Sequence, residues 1–202
     1  MQIDGKIQAL NNAVREAIPH LRDEASQQPH AQVYVRALQF SIGARWHIAN
    51  PTPVEDLVWP DLTAGGYTDL GAALRELATQ LQVPPMEPRA LPPVVVLVSD
   101  GRPTDDYQPA LEHLLSLPWG AKAVRLAIAI GGDADREVLE RFIANPEFPP
   151  FSANSPERLA ELMRWVSTAV VGGVSSPSGV AGTSHIAAPP VPASTADDWV
   201  TL

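Results

Sequence analysis

The sequence contains no cysteine and little positive charge, and both deficits narrow the functions open to the protein. Without cysteine, disulfide bonds, thiolate metal sites and cysteine nucleophiles are excluded. The chain has 14 lysine and arginine residues against 23 aspartate and glutamate residues, which gives a formal net charge of −9. Such an acidic chain binds poorly to nucleic acids and to anionic membrane surfaces. We therefore expect neither as a partner.

Long apolar runs are also missing from the sequence. No segment approaches the roughly 20 apolar residues that a membrane-spanning helix requires. The first residues lack the basic-then-apolar order of a signal peptide, so we expect a cytoplasmic protein. The 202 residues are 45% hydrophobic and 18% charged, which is enough for one sizeable domain with its own core.

The most informative segment is an apolar run that ends in Ser-Asp-Gly. Residues 94–98 read Val-Val-Val-Leu-Val, and such a run without alternation predicts a strand buried on both faces of a parallel sheet. Asp100 follows at the carboxyl end of the strand, where ligands bind in sheets of this type. Gly101 then lets the chain turn sharply. From these residues alone, Asp100 is equally well a functional carboxylate or a residue that caps the turn.

Periodic apolar patterns predict helices and strands on both sides of this run, with capping residues ahead of the helices. Strand and helix alternate along the chain, which predicts a doubly wound α/β fold with a mostly parallel sheet. The predicted helices are 3–21 (ending near Pro19), 70–81, 105–117, 135–143 and 156–170. The predicted strands are 32–40, 46–48, 94–98, 124–130 and 148–152. The predicted helix caps are Thr68 or Asp69, Thr104 or Asp105, Asp133 or Asp135, and Ser155.

The composition changes at Gly172, which divides the chain into a domain over 1–171 and a tail over 172–202. The tail consists mostly of Gly, Ser, Pro, Ala and Val, so it cannot build a core and is expected to be flexible. It ends in Ala-Asp-Asp-Trp-Val-Thr-Leu. These residues are either a short docking peptide around Trp199 or a frayed terminus.

Three motifs in the first 171 residues, in the right order, resemble the von Willebrand factor A domain. They are Lys6-Ile7-Gln8-Ala9-Leu10-Asn11-Asn12-Ala13, Gly65-Gly66-Tyr67-Thr68-Asp69-Leu70 and Val98-Ser99-Asp100-Gly101-Arg102-Pro103-Thr104. The sequence is most similar to small bacterial members encoded with tellurium-resistance and stress-response genes. The resemblance implies a Rossmann-like fold, with helices on both faces of the sheet. It also implies a metal-ion-dependent adhesion site on the upper rim of the sheet, which usually holds Mg²⁺.

In the family, three loops build that site: Asp-x-Ser-x-Ser after the first strand, a Thr in the second loop and an Asp in the third. Thr68 matches the second element and Asp100 the third, so the resemblance implies both as metal ligands. The first element and its central strand are absent from this sequence. Either the start codon has been assigned too late or the protein is a natural truncation. Two ligands are too few for tight Mg²⁺ binding, so we expect weak binding in this form.

Three classes of function are open. The resemblance favours a protein–protein interaction module in which the metal captures an exposed Asp or Glu of a partner, with Tyr67, Asp69 and Trp199 as further partner contacts. The missing first element favours a metal-independent scaffold or assembly subunit. We do not expect an enzyme, such as a phosphate-handling hydrolase using Asp100, because the known nucleotide-binding and Gly-x-Ser-x-Gly motifs are absent. The oligomeric state is not indicated by the sequence.

Overall fold

The computed structural model of the chain describes residues 5–28 and 31–170. Over these residues the predicted α/β fold is confirmed, with helices packed around a parallel sheet. The helices are α1 (Lys6–Ser26), α2 (Leu70–Gln80), α3 (Gln108–Ser116), α4 (Pro118–Lys122), α5 (Arg136–Ile143) and α6 (Pro156–Trp165), and the strands are β1 (Tyr34–Ser41), β2 (Gly43–Pro53), β3 (Val94–Ser99), β4 (Val124–Ile130) and β5 (Phe151–Ala153).

The strands form two separate sheets. β1 and β2 make an antiparallel hairpin, in which Tyr34 lies opposite Pro53. β3, β4 and β5 form a parallel sheet in that order, with Val94 opposite Val124 and Ile128 opposite Phe151. Within residues 5–28 and 31–170, no strand pairs with the edge of β1 opposite β2 or with the edge of β3 opposite β4.

Burial differs sharply between β3 and β4. In β3 only Leu97 and Ser99 are buried, whereas the last five residues of β4 are all buried. The prediction that β3 is buried on both faces is therefore confirmed only in part: Leu97 is buried against one helical layer, whereas Val96 and Val98 pack against the other layer and stay partly exposed. β3 is the outermost strand of its sheet over the described residues, and an outermost strand lacks the cover of a second neighbour.

Two apolar layers hold the helices on the sheet. One cluster lies between the sheet and α2, α3 and α5, and includes Leu74, Leu114 and Phe142. The other lies between the sheet and α1 and α6, and includes Leu10 and Leu162. Successive residues of β4 alternate between the two clusters, as the two faces of a strand require.

Helix α1 continues through Pro19 as far as Ser26, so the prediction that it ends near Pro19 is wrong. Proline removes one backbone N–H and normally ends or kinks a helix. Here the last turns are held from outside the helix, because the Arg22 guanidinium donates to the carbonyl oxygens of Val54 and Leu57 at 3.1 and 2.8 Å.

Strand β2 is longer than the predicted residues 46–48 and contains both Pro51 and Pro53. A proline cannot donate to a strand ladder, but over the described residues β2 has a neighbour on one side only, and an edge strand tolerates proline. Among the described residues, no helix is both long enough and apolar enough to cross a bilayer.

Candidate functional site

The carboxyl ends of β1 and β3 meet at one rim of the molecule, where the loop before α2 joins them. The N–H of Asp69 donates to the carbonyl of Ser41, at the end of β1, at 3.1 Å. The N–H of Thr104 donates to the carbonyl of Thr68 at 3.0 Å, just beyond β3. We call residues 41–43, 65–69 and 99–105 the carboxyl rim. Because both strands end at this rim, β1 and β3 run in the same direction.

The two predicted metal ligands are carried by neighbouring loops of the carboxyl rim. A Cβ atom added to Gly101 would lie 3.4 Å from Oγ1 of Thr68, so the Thr68 hydroxyl lies against the loop that carries Asp100. Both residues are partly exposed, and the preceding Ser99 is buried with its hydroxyl oxygen 3.5 Å from the N–H of Gly101. The structure therefore brings these two sequence-predicted loops together.

The donor atoms at this place suit a hard divalent cation, but they are few. A hydroxyl and a carboxylate are oxygen ligands of the kind that Mg²⁺ accepts in octahedral geometry. Over the described part of the chain, no group of three or more His, Cys, Asp or Glu side chains is placed to hold a metal ion. Thr68 and Asp100 would thus hold such a cation with most of its coordination positions left to water or to a partner.

Asp69 has both carboxylate oxygens engaged within the carboxyl rim. Oδ2 accepts from the N–H of Gly43 at 2.7 Å, and Oδ1 accepts from the hydroxyl of Thr104 at 2.7 Å. The hydrogen bond from Gly43, followed by that from Thr104, lowers the pKa of Asp69; the nearby charge of Arg75 adds to this and desolvation opposes it. Asp69 occupies the N-cap position of α2 without capping it through its side chain. It ties the β1–β2 hairpin to the loop after β3.

The first turn of α2 is capped by Asp105, which comes from the loop after β3. Its Oδ1 accepts from the N–H of Gly71 at 2.8 Å, and its Oδ2 accepts from the N–H of Ala72 at 2.9 Å. The guanidinium of Arg75 lies 3.6 Å from the same carboxylate. A carboxylate at a helix N-terminus satisfies free N–H groups and interacts favourably with the helix dipole.

Neither Thr104 nor Asp105 caps α3, so the prediction that one of them does so is wrong. Helix α3 begins at Gln108, with Tyr107 at the N-cap position and no side-chain cap. The Thr104 side chain bonds instead to the loop before α2, and the Asp105 side chain bonds to α2 itself. Their sequence position suggests a cap of α3, but in the fold Asp105 accepts from N–H groups of α2 and Thr104 accepts from the N–H of Thr68.

Gly71 allows α2 to approach the loop after β3 more closely than any other residue would. A Cβ atom at this position would lie 2.6 Å from the carbonyl oxygen of Asp106, 2.8 Å from Oδ2 of Asp105 and 3.0 Å from Cα of Tyr107. The sequence patterns do not predict that Gly71, Thr104 and Asp105 position the site. The available signal was a glycine in the first turn of a helix, where most other residues are better helix formers.

Tyr67 and Ile42 are the exposed apolar side chains of the carboxyl rim. Tyr67 is 58% exposed and Ile42, at the turn of the β1–β2 hairpin, is 78% exposed. Tyr67 is a predicted partner contact, and its side chain is accessible for that role. Trp199, the other aromatic partner contact predicted from the sequence, lies outside the described residues.

A parallel sheet between helical layers, with Thr68 and Asp100 on adjoining loops at its carboxyl rim, defines a doubly wound α/β protein with a candidate cation site. The sequence model of the von Willebrand factor type A domain matches residues 10–165. The chain therefore belongs to the von Willebrand factor type A family.

Solved structures share this fold at low sequence identity. Proximal thread matrix protein 1 from the mussel byssus, with a zinc-occupied MIDAS motif, is 18% identical and superposes with a TM-score of 0.60; the match covers 83% of this chain and 43% of that one. A von Willebrand factor type A protein from Catenulispora acidiphila is 17% identical, with a TM-score of 0.59 over 80% of this chain and 38% of that one. The ArnB paralog VWA2 from Sulfolobus acidocaldarius is 17% identical, with a TM-score of 0.58 over 82% of this chain and 41% of that one.

This chain spans less than half the length of each of these proteins, and their likeness shows the fold alone. No curated protein matches the chain significantly.

Proposed function

We propose that this protein is a protein–protein interaction module of the von Willebrand factor type A class, in which Thr68 and Asp100 hold Mg²⁺ or a similar divalent cation. The observation that carries the proposal is the contact of the Thr68 hydroxyl with the loop of Asp100 at the carboxyl rim. The mussel protein with a zinc-occupied MIDAS motif supports a divalent cation as the ligand of such a fold.

The two side chains suit the capture of an acidic group. Thr68 supplies a neutral hydroxyl oxygen and Asp100 a carboxylate, so the pair does not neutralise a divalent charge. When bound, such an ion supplies a local positive charge on a chain whose formal net charge is −9. An exposed Asp or Glu of a partner protein is the complementary group. We propose no chemical turnover at this site.

The main chain fixes the position of Thr68. Its N–H donates to Oγ1 of Thr104 at 3.0 Å, and its carbonyl accepts from the N–H of Thr104 at 3.0 Å. Asp69 links the loop of Thr68 to Thr104 through its carboxylate, and Asp105 links the loop after β3 to the first turn of α2. These three residues therefore position the site and are not proposed as ligands.

We further propose that Thr68 and Asp100 alone bind Mg²⁺ or Mn²⁺ weakly, because two oxygen ligands leave most of an octahedral shell to water. A metal-independent scaffold or assembly subunit is the second candidate function. That alternative is favoured by the finding that, among the described residues, no group of three or more His, Cys, Asp or Glu side chains could hold a metal ion. A place in bacterial tellurium resistance or the stress response stays a prediction, for which the neighbouring genes are the test.

Paramagnetic broadening by Mn²⁺ in amide NMR spectra tests the site, because it detects weak binding residue by residue. We expect broadening of the carboxyl-rim amides in the natural chain and its loss in Thr68→Ala and Asp100→Ala. Asp106→Ala is the matched control, since Asp106 is an exposed aspartate of the same loop. Equal broadening in Asp100→Ala and Asp106→Ala would exclude Asp100 as a ligand and favour the scaffold.

Partner capture gives the second test. Binding of a partner from lysate should be abolished by EDTA, by Thr68→Ala and by Asp100→Ala, and kept by Asp106→Ala. If the same partners are captured with and without metal, and by both the natural chain and Asp100→Ala, the module acts without a cation.

A further inference from the structure

A cleft of about 330 Å³ lies beside the carboxyl rim, between residues 102–108, which follow β3, and residues 135–141, which follow β4. We call it the polar cleft, because arginine, acidic, Tyr107 and Gln108 side chains make up most of its wall. β3 and β4 are neighbouring parallel strands, so the polar cleft lies at their carboxyl ends. Ligands of open α/β sheets bind in crevices at that end of the strands.

The three carboxylates in the wall of the polar cleft each have a donor within the chain. Asp105 accepts from two N–H groups of α2 at 2.8 and 2.9 Å. Asp135 accepts from the N–H of Val138 at 3.3 Å. Glu137 accepts from the guanidinium of Arg141 at 2.6 Å. Each negative charge is therefore turned toward a group of the protein itself, which reduces its effect on a ligand in the polar cleft.

The donors in the wall are less engaged than the carboxylates. Arg102 is exposed, and among residues 5–28 and 31–170 no ion pair or hydrogen bond involves its guanidinium. The exposed side-chain amide of Gln108 likewise has no hydrogen-bond partner over these residues. Arg141 differs from Arg102, because the charge of Glu137, followed by the Tyr107 phenol, holds it and raises its pKa.

We propose that the polar cleft binds an oxyanion, either a carboxylate or a phosphate group, with the Arg102 guanidinium as its anchor and the Gln108 amide as a further donor. A guanidinium presents five N–H donors in a planar fork that matches the oxygens of both groups. Oxyanion binding here does not depend on the cation site. Because the polar cleft is open to water, its affinity should fall as the salt concentration rises.

The position of Arg102 relates the polar cleft to the partner protein, and this step rests on the proposed function. Arg102 follows Asp100 by two residues, so their Cα atoms are at most about 7 Å apart. In an extended chain, alternate side chains lie on one face at about the same spacing. An extended partner segment with acidic groups at alternate positions would thus place one group on the cation and the other in the polar cleft.

Amide NMR titration of the full-length chain in EDTA tests the polar cleft without a metal ion. The probes are inorganic phosphate and glutarate, and we expect shifts of the amides in 102–108 and 135–141. Arg102→Gln should weaken binding at least about tenfold, as expected for the loss of a hydrogen bond between charged groups, and Arg102→Lys should keep part of it. Arg89→Gln is the matched control, since Arg89 is an exposed arginine outside the polar cleft. The probe that binds more tightly identifies the oxyanion as phosphate or carboxylate.

Two results of the titration would overturn the proposal: no shifts in the polar cleft with either probe, or equal weakening by Arg102→Gln and Arg89→Gln. In the partner-capture assay with metal, Arg102→Gln should capture less partner than Arg89→Gln. Equal capture by the two variants, with capture still abolished by EDTA, would exclude the polar cleft from the partner site and leave the cation site in place.

Discussion

Replacing Asp105 with alanine should destabilise the domain more than its sequence position suggests. The carboxylate is 21% exposed and accepts hydrogen bonds from the first turn of α2, although it belongs to the loop after β3. Losing a helix-capping acceptor costs about 1 kcal/mol, with a range of roughly 0.5–2. Losing the negative charge at the helix N-terminus adds about 0.5 kcal/mol.

The ion pair between Asp105 and Arg75 adds little to this cost, because the Arg75 side chain is 60% exposed and water screens it. The expected loss for Asp105→Ala is thus about 1.5–2 kcal/mol in the free energy of unfolding. Asp105→Asn should lose less, since its amide oxygen can still accept one of the two bonds.

Urea denaturation measures this loss as a lower midpoint with an unchanged slope. The melting temperature should fall by about 3–8 °C. Asp106→Ala is the matched control, because Asp106 is exposed and adjacent in sequence. A difference between Asp105→Ala and Asp106→Ala below about 0.5 kcal/mol would refute the assignment of Asp105 as the cap of α2.

Two further substitutions test the loops of the carboxyl rim. Gly71→Ala should lower the free energy of unfolding, measured by urea denaturation, by about 1 kcal/mol or more, because overpacking against backbone atoms outweighs the gain in helix propensity. Gly66→Ala is the control and should be nearly neutral, because a Cβ atom added there would meet nothing within 4 Å. Asp69→Asn should be less stable than the natural chain at pH 7 and equally stable in strong acid, as followed by thermal melts. The reason is that hydrogen bonds from Gly43 and Thr104 hold the pKa of Asp69 in the folded state below its pKa in the unfolded state. The ionised carboxylate therefore stabilises the fold at any pH above the unfolded-state pKa. That stabilisation is lost as the pH falls through the folded-state pKa. A gap between the two melting curves that persists in acid would contradict this role.

The features predictable from the sequence are those set by neighbouring residues. Ser155 before Pro156 predicts the start of α6, and the Ser155 hydroxyl accepts from the N–H of Arg158 as expected. Asp135 likewise caps α5 by accepting from the N–H of Val138. The run before Gly131 predicts β4, which is confirmed as a buried strand. For the two caps the pattern and the contact lie within one turn of chain, and for β4 the apolar run itself is the signal, although its strand partners are distant in the sequence.

Contacts between distant parts of the chain decide the features that the sequence does not reveal. Asp105 caps a helix that begins 35 residues earlier in the sequence than Asp105 itself, and its bond to Gly71 spans 34 residues. Pro19 fails to end α1 because Arg22 is anchored on carbonyls 32 and 35 residues away. A local pattern contains no information on which distant group will satisfy a side chain, so capping chemistry alone assigns such residues to the nearest helix.

The difference between local patterns and distant contacts also bears on our proposal that the candidate site binds metal weakly. The motifs identify Thr68 and Asp100, but they do not show how firmly the two loops are held. In the structure Thr68 and Thr104 are joined by hydrogen bonds in both directions, and Asp69 adds a third link through its carboxylate. Loops tied in this way lose little freedom when an ion binds, so disorder is a poor explanation for weak affinity. In the proposed site the number of oxygen ligands would limit binding instead, because a cation that prefers octahedral coordination would meet the side chains of Thr68 and Asp100 and would retain much of its water.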